Sequence, residues 1–214
     1  MSRRDSLSHI YLVRVAGEIA TKARRTRRRF QGRLAKNISD ALRMSGVECD
    51  VRDCWSYLLV HTAQPVSPER VAGVFGVSSV SPIEARVAAN LDAIVDVGER
   101  LFSERVRGRT FAVRCKRGGR HAFGSRDVQV RLGAALDAHG SVDLTKPEVT
   151  VFVELVDGEA LLHSGRLRGV GGLPLGVQGR AVCLISGGFD SAVAAWHMLK
   201  RGIALDYVFC NLGG

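Results

Sequence analysis

The apolar run Ala181 to Ile185 passes directly into Ser186-Gly187-Gly188-Phe189-Asp190-Ser191, and a helical pattern follows from Ala192 to Lys200. A second apolar run, Ala204 to Cys210, comes next. Strand, glycine loop, helix and strand in this order form a βαβ unit, the building block of parallel sheets with helices on their faces. A sheet of that kind needs further strands before both faces are buried. The chain ends at Gly214, early in such a domain. The sequence is therefore expected to be a fragment, or to continue in the native protein.

The loop has the chemistry of an anion site. Backbone N–H groups at a helix start are unpaired and point outward, and the helix dipole adds partial positive charge. Gly187 and Gly188 let the backbone approach phosphate oxygens with no Cβ in the way. The hydroxyls of Ser186 and Ser191 supply further donors. Asp190 suits a helix cap or a partner for nucleotide-borne Mg²⁺ better than a direct anion contact. The segment lacks the lysine of G-x-x-x-x-G-K-[ST] and the spacing of G-x-G-x-x-G. It resembles the loop of the ATP-pyrophosphatases, which cut ATP between the α and β phosphates and transfer AMP to a substrate oxygen. A glycine turn at an ordinary helix start is the bland alternative.

The first 180 residues read differently. His9 to Val15 alternates like a strand, and Gly17 breaks it. From Lys22 to Met44, Phe30, Leu34, Ile38 and Leu42 recur every fourth residue and predict a helix ending at Gly46. Strands are expected at Val47 to Arg52, Trp55 to His61 and Val77 to Ile83, with Pro82 marking an edge or an ending. A short helix is expected at Pro68 to Phe75. The order βαββαβ suggests a ferredoxin-like α+β unit. A second mixed block follows: a helix at Asn90 to Phe102, a strand at Thr110 to Lys116 and a helix capped by Ser125. Strands at Val149 to Val156 and Ala160 to His163 flank an Asp157-Gly158 turn. The glycine-rich Gly169 to Gly179 (GVGGLPLGVQG) reads as a linker or functional loop. The predicted domains are residues 1–76, 77–168 and, after a linker over 169–180, the opening of a parallel-sheet domain over 181–214.

Charge points to a polyanion. With 31 Lys and Arg against 21 Asp and Glu the formal net charge is +10, which suits a partner whose phosphates release counterions. Lys22, Arg24, Arg25, Arg27, Arg28, Arg29, Arg33 and Lys36 occupy a stretch without an acid. Like charges repel on a helix, and a phosphate backbone removes that penalty. A second group, Arg114, Lys116, Arg117, Arg120, His121 and Arg126, surrounds Gly118-Gly119, and on charge alone it serves equally as a phosphate clamp or a solvated hairpin tip. Trp55 and Trp196 are assigned to the core. Five scattered cysteines without a C-x-x-C pair argue for reduced thiols in the cytoplasm, and no apolar run is long enough to cross a membrane. Cys183 and Cys210 are expected to be inert core thiols. No metal-ligating set is read from the sequence.

Three blocks carry a family resemblance: Gly17-Glu18-Ile19 with Thr21-Lys22 and the arginine helix through Asn37-Ile38; Phe111 to Arg117 with His121, Phe123 and Ser125; and Gly171-Gly172-Leu173-Pro174 followed by Leu184 to Ser191 and Lys200-Arg201-Gly202. Together they resemble the bacterial tRNA 4-thiouridine synthetases, the tRNA sulfurtransferases of the ThiI family that also serve thiamine thiazole synthesis. The resemblance implies a ferredoxin-like α+β domain, an α/β THUMP RNA-binding domain and the start of an α/β PP-loop ATP-pyrophosphatase domain. It implies ATP with Mg²⁺, adenylation of uridine 8 of tRNA, and sulfur delivered by a persulfide-carrying cysteine desulfurase. A homodimer is compatible with it, and no membrane is involved. Leu184, Ile185, Ser186, Gly187, Gly188, Phe189, Asp190, Ser191, Phe209 and Cys210 are the implied ATP-binding residues, with Asp190 catalytic. Lys22, Arg24, Arg25, Arg27, Arg28, Lys116, Arg117, Arg120, His121 and Arg126 are the implied tRNA contacts. The family's sulfur-handling cysteines lie beyond residue 214, so the fragment alone is expected to transfer little or no sulfur. A non-catalytic tRNA-binding module and a small-molecule adenylating ligase remain the alternatives.

Overall fold

The computed structural model describes residues 9–119 and 121–210. The chain divides into two compact units, one made of residues up to Pro82 together with those from Arg166 onward, the other of Ile83 to Gly165.

The first unit opens with strand β1 (His9–Val15), the short helix α1 (Gly17–Ala20) and the long helix α2 (Arg24–Arg43). Strands β2 (Cys49–Asp53) and β3 (Leu58–Thr62), helix α3 (Pro68–Ala72) and strand β4 (Val77–Pro82) complete the βαββαβ order. Strand β1 ends at Val15, just before Gly17, the expected break, and Gly17 opens the short helix α1. The predicted four-residue repeat of α2 is its core stripe: Phe30, Leu34, Ile38 and Leu42 are buried against Val13, Leu58 and Val60 of the sheet. β1 pairs antiparallel with both β3 and β4, as a ferredoxin-like sheet requires.

The second unit begins with β5 (Ala85–Ala88), which carries too short an alternation to stand out in the sequence. Helix α4 (Leu91–Val106) follows, with the Asn90 side chain accepting from the amides of Asp92 and Ala93 at its start. Strand β6 (Thr110–Arg117), helix α5 (Ser125–Asp137), the two-residue β7 (Ser141–Val142), β8 (Val149–Val156) and β9 (Glu159–His163) complete it. The sheet order is β5-β9-β8-β6-β7, with β6 parallel to both β8 and β7. The Asp157-Gly158 hairpin has left-handed φ at both residues, 48° and 81°, the geometry that this dipeptide favours. Ile94, Phe102, Phe111, Leu132, Val151 and Leu162 are among its fully buried core residues. Ser125 is not the cap of α5; Gly124 holds that position, and its amide donates to the Asp127 carboxylate at 2.7 Å.

The chain then returns to the first sheet. Strand β10 (Leu167–Arg168) pairs with β4, giving the order β10-β4-β1-β3-β2. Two boundaries are corrected by this pairing. β4 belongs to the first unit although the sequence boundary fell at residue 77, and Leu167-Arg168 belongs there too. Pro82 marks the end of β4, which is not an edge strand.

The glycine-rich segment is packed rather than a free linker. Gly76 N–H donates to the Gly171 carbonyl, Leu173 N–H to Lys200, and both Gly176 and Gln178 to Gly202. Asn37 on α2 donates to the Leu175 carbonyl at 3.2 Å. Strand β11 (Arg180–Ile185), helix α6 (Phe189–Lys200) and strand β12 (Ala204–Phe209) form the βαβ unit, and the two strands are parallel and paired along their whole length.

Candidate nucleotide loop and nucleic-acid interface

Ser186 to Gly188 connect β11 to α6 and lie at the carboxyl end of the parallel pair, where ligands bind in sheets of this kind. The last register pair is Ile185 with Phe209, so the predicted adenosine-side residues Leu184, Ile185, Phe209 and Cys210 sit beside one another at that end. Leu184 is 72% exposed and Phe209 63%.

The loop is closed by its two serines. Ser186 N–H donates to Ser191 Oγ at 3.2 Å, and the Ser191 hydroxyl lies 3.0 Å from the Gly188 carbonyl and 3.3 Å from that of Ser186. The Gly188 amide donates to Ser186 Oγ at 3.3 Å. A Cβ on Gly187 would meet nothing within 4 Å, and neither Gly187 nor Gly188 has left-handed φ. The protein's own packing therefore does not demand glycine here, whereas a group lying against the backbone would. α6 starts three residues earlier than predicted, at Phe189, because Gly188 takes the N-cap position. No side chain caps this helix, so the capping role considered for Asp190 is not realised. Asp190 lies in the first turn beside the loop, and Phe189 stands 90% exposed. An open helix start, two hydroxyls and a glycine backbone fit a phosphate group.

The basic residues fall into two places. Lys22 precedes α2, and Arg24, Arg25 and Arg28 line an open concavity of about 590 Å³ together with Arg29. Arg27 is differently employed. Its guanidinium lies 4.4 Å from the centre of the Trp55 ring, and it donates to the Trp55 carbonyl, to the Ala20 carbonyl and to Gln31 Oε1. The sequence reading grouped these arginines as equivalent. In the second unit, Lys116 and Arg117 end β6 and Arg126 lies in the first turn of α5. His121 Nε2 pairs with the Gly118 carbonyl at 2.8 Å, and Arg117 donates to the Phe123 carbonyl at 3.3 Å. Arg120 lies outside the described residues.

Both tryptophans depart from the core assignment. Trp55 is 46% exposed with φ of +64°. Trp196 is 42% exposed, edge-on to Phe75 at 5.9 Å, with Lys200 Nζ 4.7 Å from its ring centre. The thiols divide as well: Cys183 is buried as expected, but Cys210 is exposed. Burial pushes the Cys115 thiol up from 9.0 to about 11, opposed by a hydrogen bond from Ser125. Among the described residues no cluster of three or more His, Cys, Asp or Glu could hold a metal ion, and no helix is long and apolar enough to cross a membrane.

Comparison with known proteins matches the chain to three family models in series. These are the ThiI ferredoxin-like domain over residues 10–81, the THUMP domain over 88–164, and thiamine biosynthesis protein (ThiI) over 176–213. A probable tRNA sulfurtransferase of Saccharolobus solfataricus is 40% identical over 212 residues, covering 96% of this chain and 55% of the relative. A tRNA sulfurtransferase of Desulfurococcus amylolyticus is 40% identical over 205 residues, covering 95% of this chain and 42% of the relative. The chain thus spans about half the length of the curated relatives it matches, and both of these relatives are archaeal. The crystal structure of PH1313 from Pyrococcus horikoshii has a TM-score of 0.85 at 27% identity, covering 97% of this chain and 70% of that one. A 4-thiouridine synthetase, solved as an RNA complex with bound ATP, has a TM-score of 0.76 at 29% identity, covering 94% of this chain and 52% of that one. The chain thus carries a ThiI ferredoxin-like domain, a THUMP domain and the start of a PP-loop ThiI domain in this order, and over nearly its whole length it is similar to archaeal tRNA sulfurtransferases.

Proposed function

We propose that the chain holds tRNA and ATP for an ATP-dependent sulfur transfer that converts uridine 8 of tRNA to 4-thiouridine. The observation that carries this reading is the serine-closed glycine loop at the carboxyl end of two parallel strands, in a chain that also has a THUMP domain. The similar 4-thiouridine synthetase solved with RNA and bound ATP supports it.

Ser186, Gly187, Gly188 and Ser191 would hold the phosphates through backbone amides and hydroxyls, and Asp190 would hold the accompanying Mg²⁺. ATP supplies an AMP group for the uridine O4, with pyrophosphate leaving. The terminal sulfur of a persulfide, delivered by a cysteine desulfurase, would attack the carbon bearing that oxygen as AMP leaves with the oxygen, and a second thiol would then cleave the S–S bond, leaving the thiocarbonyl and a disulfide. Lys22, Arg24, Arg25 and Arg28, with Lys116, Arg117, Arg120, His121 and Arg126, would contact the tRNA backbone. Sulfur supply to the thiamine thiazole follows as a second use of the same chemistry, and a homodimer is compatible with it.

The test is 4-thiouridine formation at position 8 by the full-length protein, given ATP and a persulfide donor. Product is expected with the wild type and not with Asp190→Ala. Normal thiolation by Asp190→Ala would refute the loop assignment.

A further inference from the structure

We infer that Trp55 is a stacking platform for an unpaired nucleobase of the RNA that the arginine face of α2 holds. The inference rests on the RNA-binding part of the proposed function and adds a residue that the charge pattern did not select.

Trp55 sits in the connection between β2 and β3 with left-handed φ, +64°, a conformation costly for a bulky side chain. The surroundings fix it there. Gln31, fully buried, donates from Nε2 to the Trp55 carbonyl at 2.8 Å, and Arg27 donates to the same oxygen. The Trp55 amide donates to Asp53 Oδ1 at 2.9 Å. A buried amide, a guanidinium and a carboxylate thus hold one strained residue, and the held side chain remains nearly half exposed.

The setting selects the ligand. Arg27 lies over the indole at 4.4 Å and Arg24 at 5.9 Å. Arg24 also lines the concavity shared with Arg25, Arg28 and Arg29, and α2 has no acid in its first turn. An exposed aromatic ring beside the acid-free, cationic start of α2, with the neighbouring carboxylate of Asp53 accepting from the Trp55 amide, is the arrangement that binds single-stranded nucleic acid. The cations follow the phosphates, and the ring takes a base of any identity. A ring needed only to cover Arg27 would serve equally well from an unstrained, buried position.

The test uses the full-length protein with two RNAs: a whole tRNA, and a blunt hairpin of fully paired nucleotides. Trp55→Gly relieves the left-handed strain and deletes the ring, so a loss of binding cannot be charged to misfolding of the turn. Trp55→Phe keeps a ring. Trp55→Gly is expected to weaken tRNA binding roughly five- to a hundred-fold, in line with loss of one stacked base. The blunt hairpin should bind both proteins alike, and Trp55→Phe should restore most of the tRNA affinity. Tryptophan emission of the wild type should fall on tRNA binding by more than that of Trp55→Phe. Equal tRNA affinity for wild type and Trp55→Gly, or equal quenching for wild type and Trp55→Phe, would overturn the platform and leave RNA binding standing. Failure of the wild type to bind either RNA would overturn the functional reading itself.

Discussion

Cys115 and Cys210 show how the same residue type comes to lie in different surroundings. Cys115 sits on β6, where burial raises its thiol to about 11 and only Ser125 and Arg117 work against that. The thiol is neutral in the folded protein. Because the folded value lies above the ordinary 9.0, its contribution to stability is present below pH 9.0 and lost as pH rises towards about 11. Cys210, just past β12, is exposed. At pH 8 an alkylating reagent is expected to label the exposed Cys210 of this chain faster than the half-buried Cys115, whose thiol is raised, as read by mass spectrometry of digests. Labelling of Cys115 as fast as that of Cys210 would contradict its raised thiol. The sequence placed Cys210 in the core because Ala204 to Cys210 is apolar, yet apolarity alone does not say whether another element covers a strand. Trp55 was misread for a related reason: its left-handed backbone is imposed by Gln31, Arg27 and Asp53, and only Asp53 and the turn itself are local.

At the scale of elements, α2 was legible because one helix carries two separate messages. Its four-residue apolar repeat gives the buried stripe, and its acid-free start gives the cationic face. What spacing could not supply is the distinction between Arg27, tied to Trp55 and Ala20, and Arg24, Arg25 and Arg28, which line the open concavity. Replacing the latter three with Gln is expected to weaken tRNA binding. It should also reduce the slope of log affinity against log salt by roughly two to three, from about 0.7 to 0.9 per phosphate contact. Titrations at several salt concentrations check this, and an unchanged slope would remove these residues from the interface.

The glycine-rich segment was the least legible element. Its composition reads as flexible, whereas its glycines allow close backbone packing. Gly172 has φ of +77°, and a Cβ there would lie 2.3 Å from the Lys200 carbonyl oxygen. Gly172→Ala is expected to destabilise the protein by about 2 kcal/mol or more, while Gly187→Ala, facing open space, stays within about 0.5 kcal/mol. Chemical denaturation distinguishes the two, and equal stabilities would mean that the segment yields more easily than its packing indicates.

For the whole molecule, the order of three domain types was visible in scattered motifs, and the boundaries were not. The chain leaves the first sheet after β4 and re-enters it at β10, a return that only strand pairing reveals. The PP-loop strands then follow within the same compact unit as the ferredoxin-like sheet, stitched to it by Gly76–Gly171, Leu173–Lys200 and the Phe75–Trp196 contact. The central claim is that the Ser186–Ser191 loop uses ATP on behalf of a bound tRNA. Its most direct test is pyrophosphate release by the full-length protein with and without tRNA, comparing wild type with Asp190→Ala. The account predicts release that requires tRNA in the wild type, and loss of that release in Asp190→Ala with tRNA affinity nearly unchanged. Equal release by the two proteins, or release indifferent to tRNA, would contradict it.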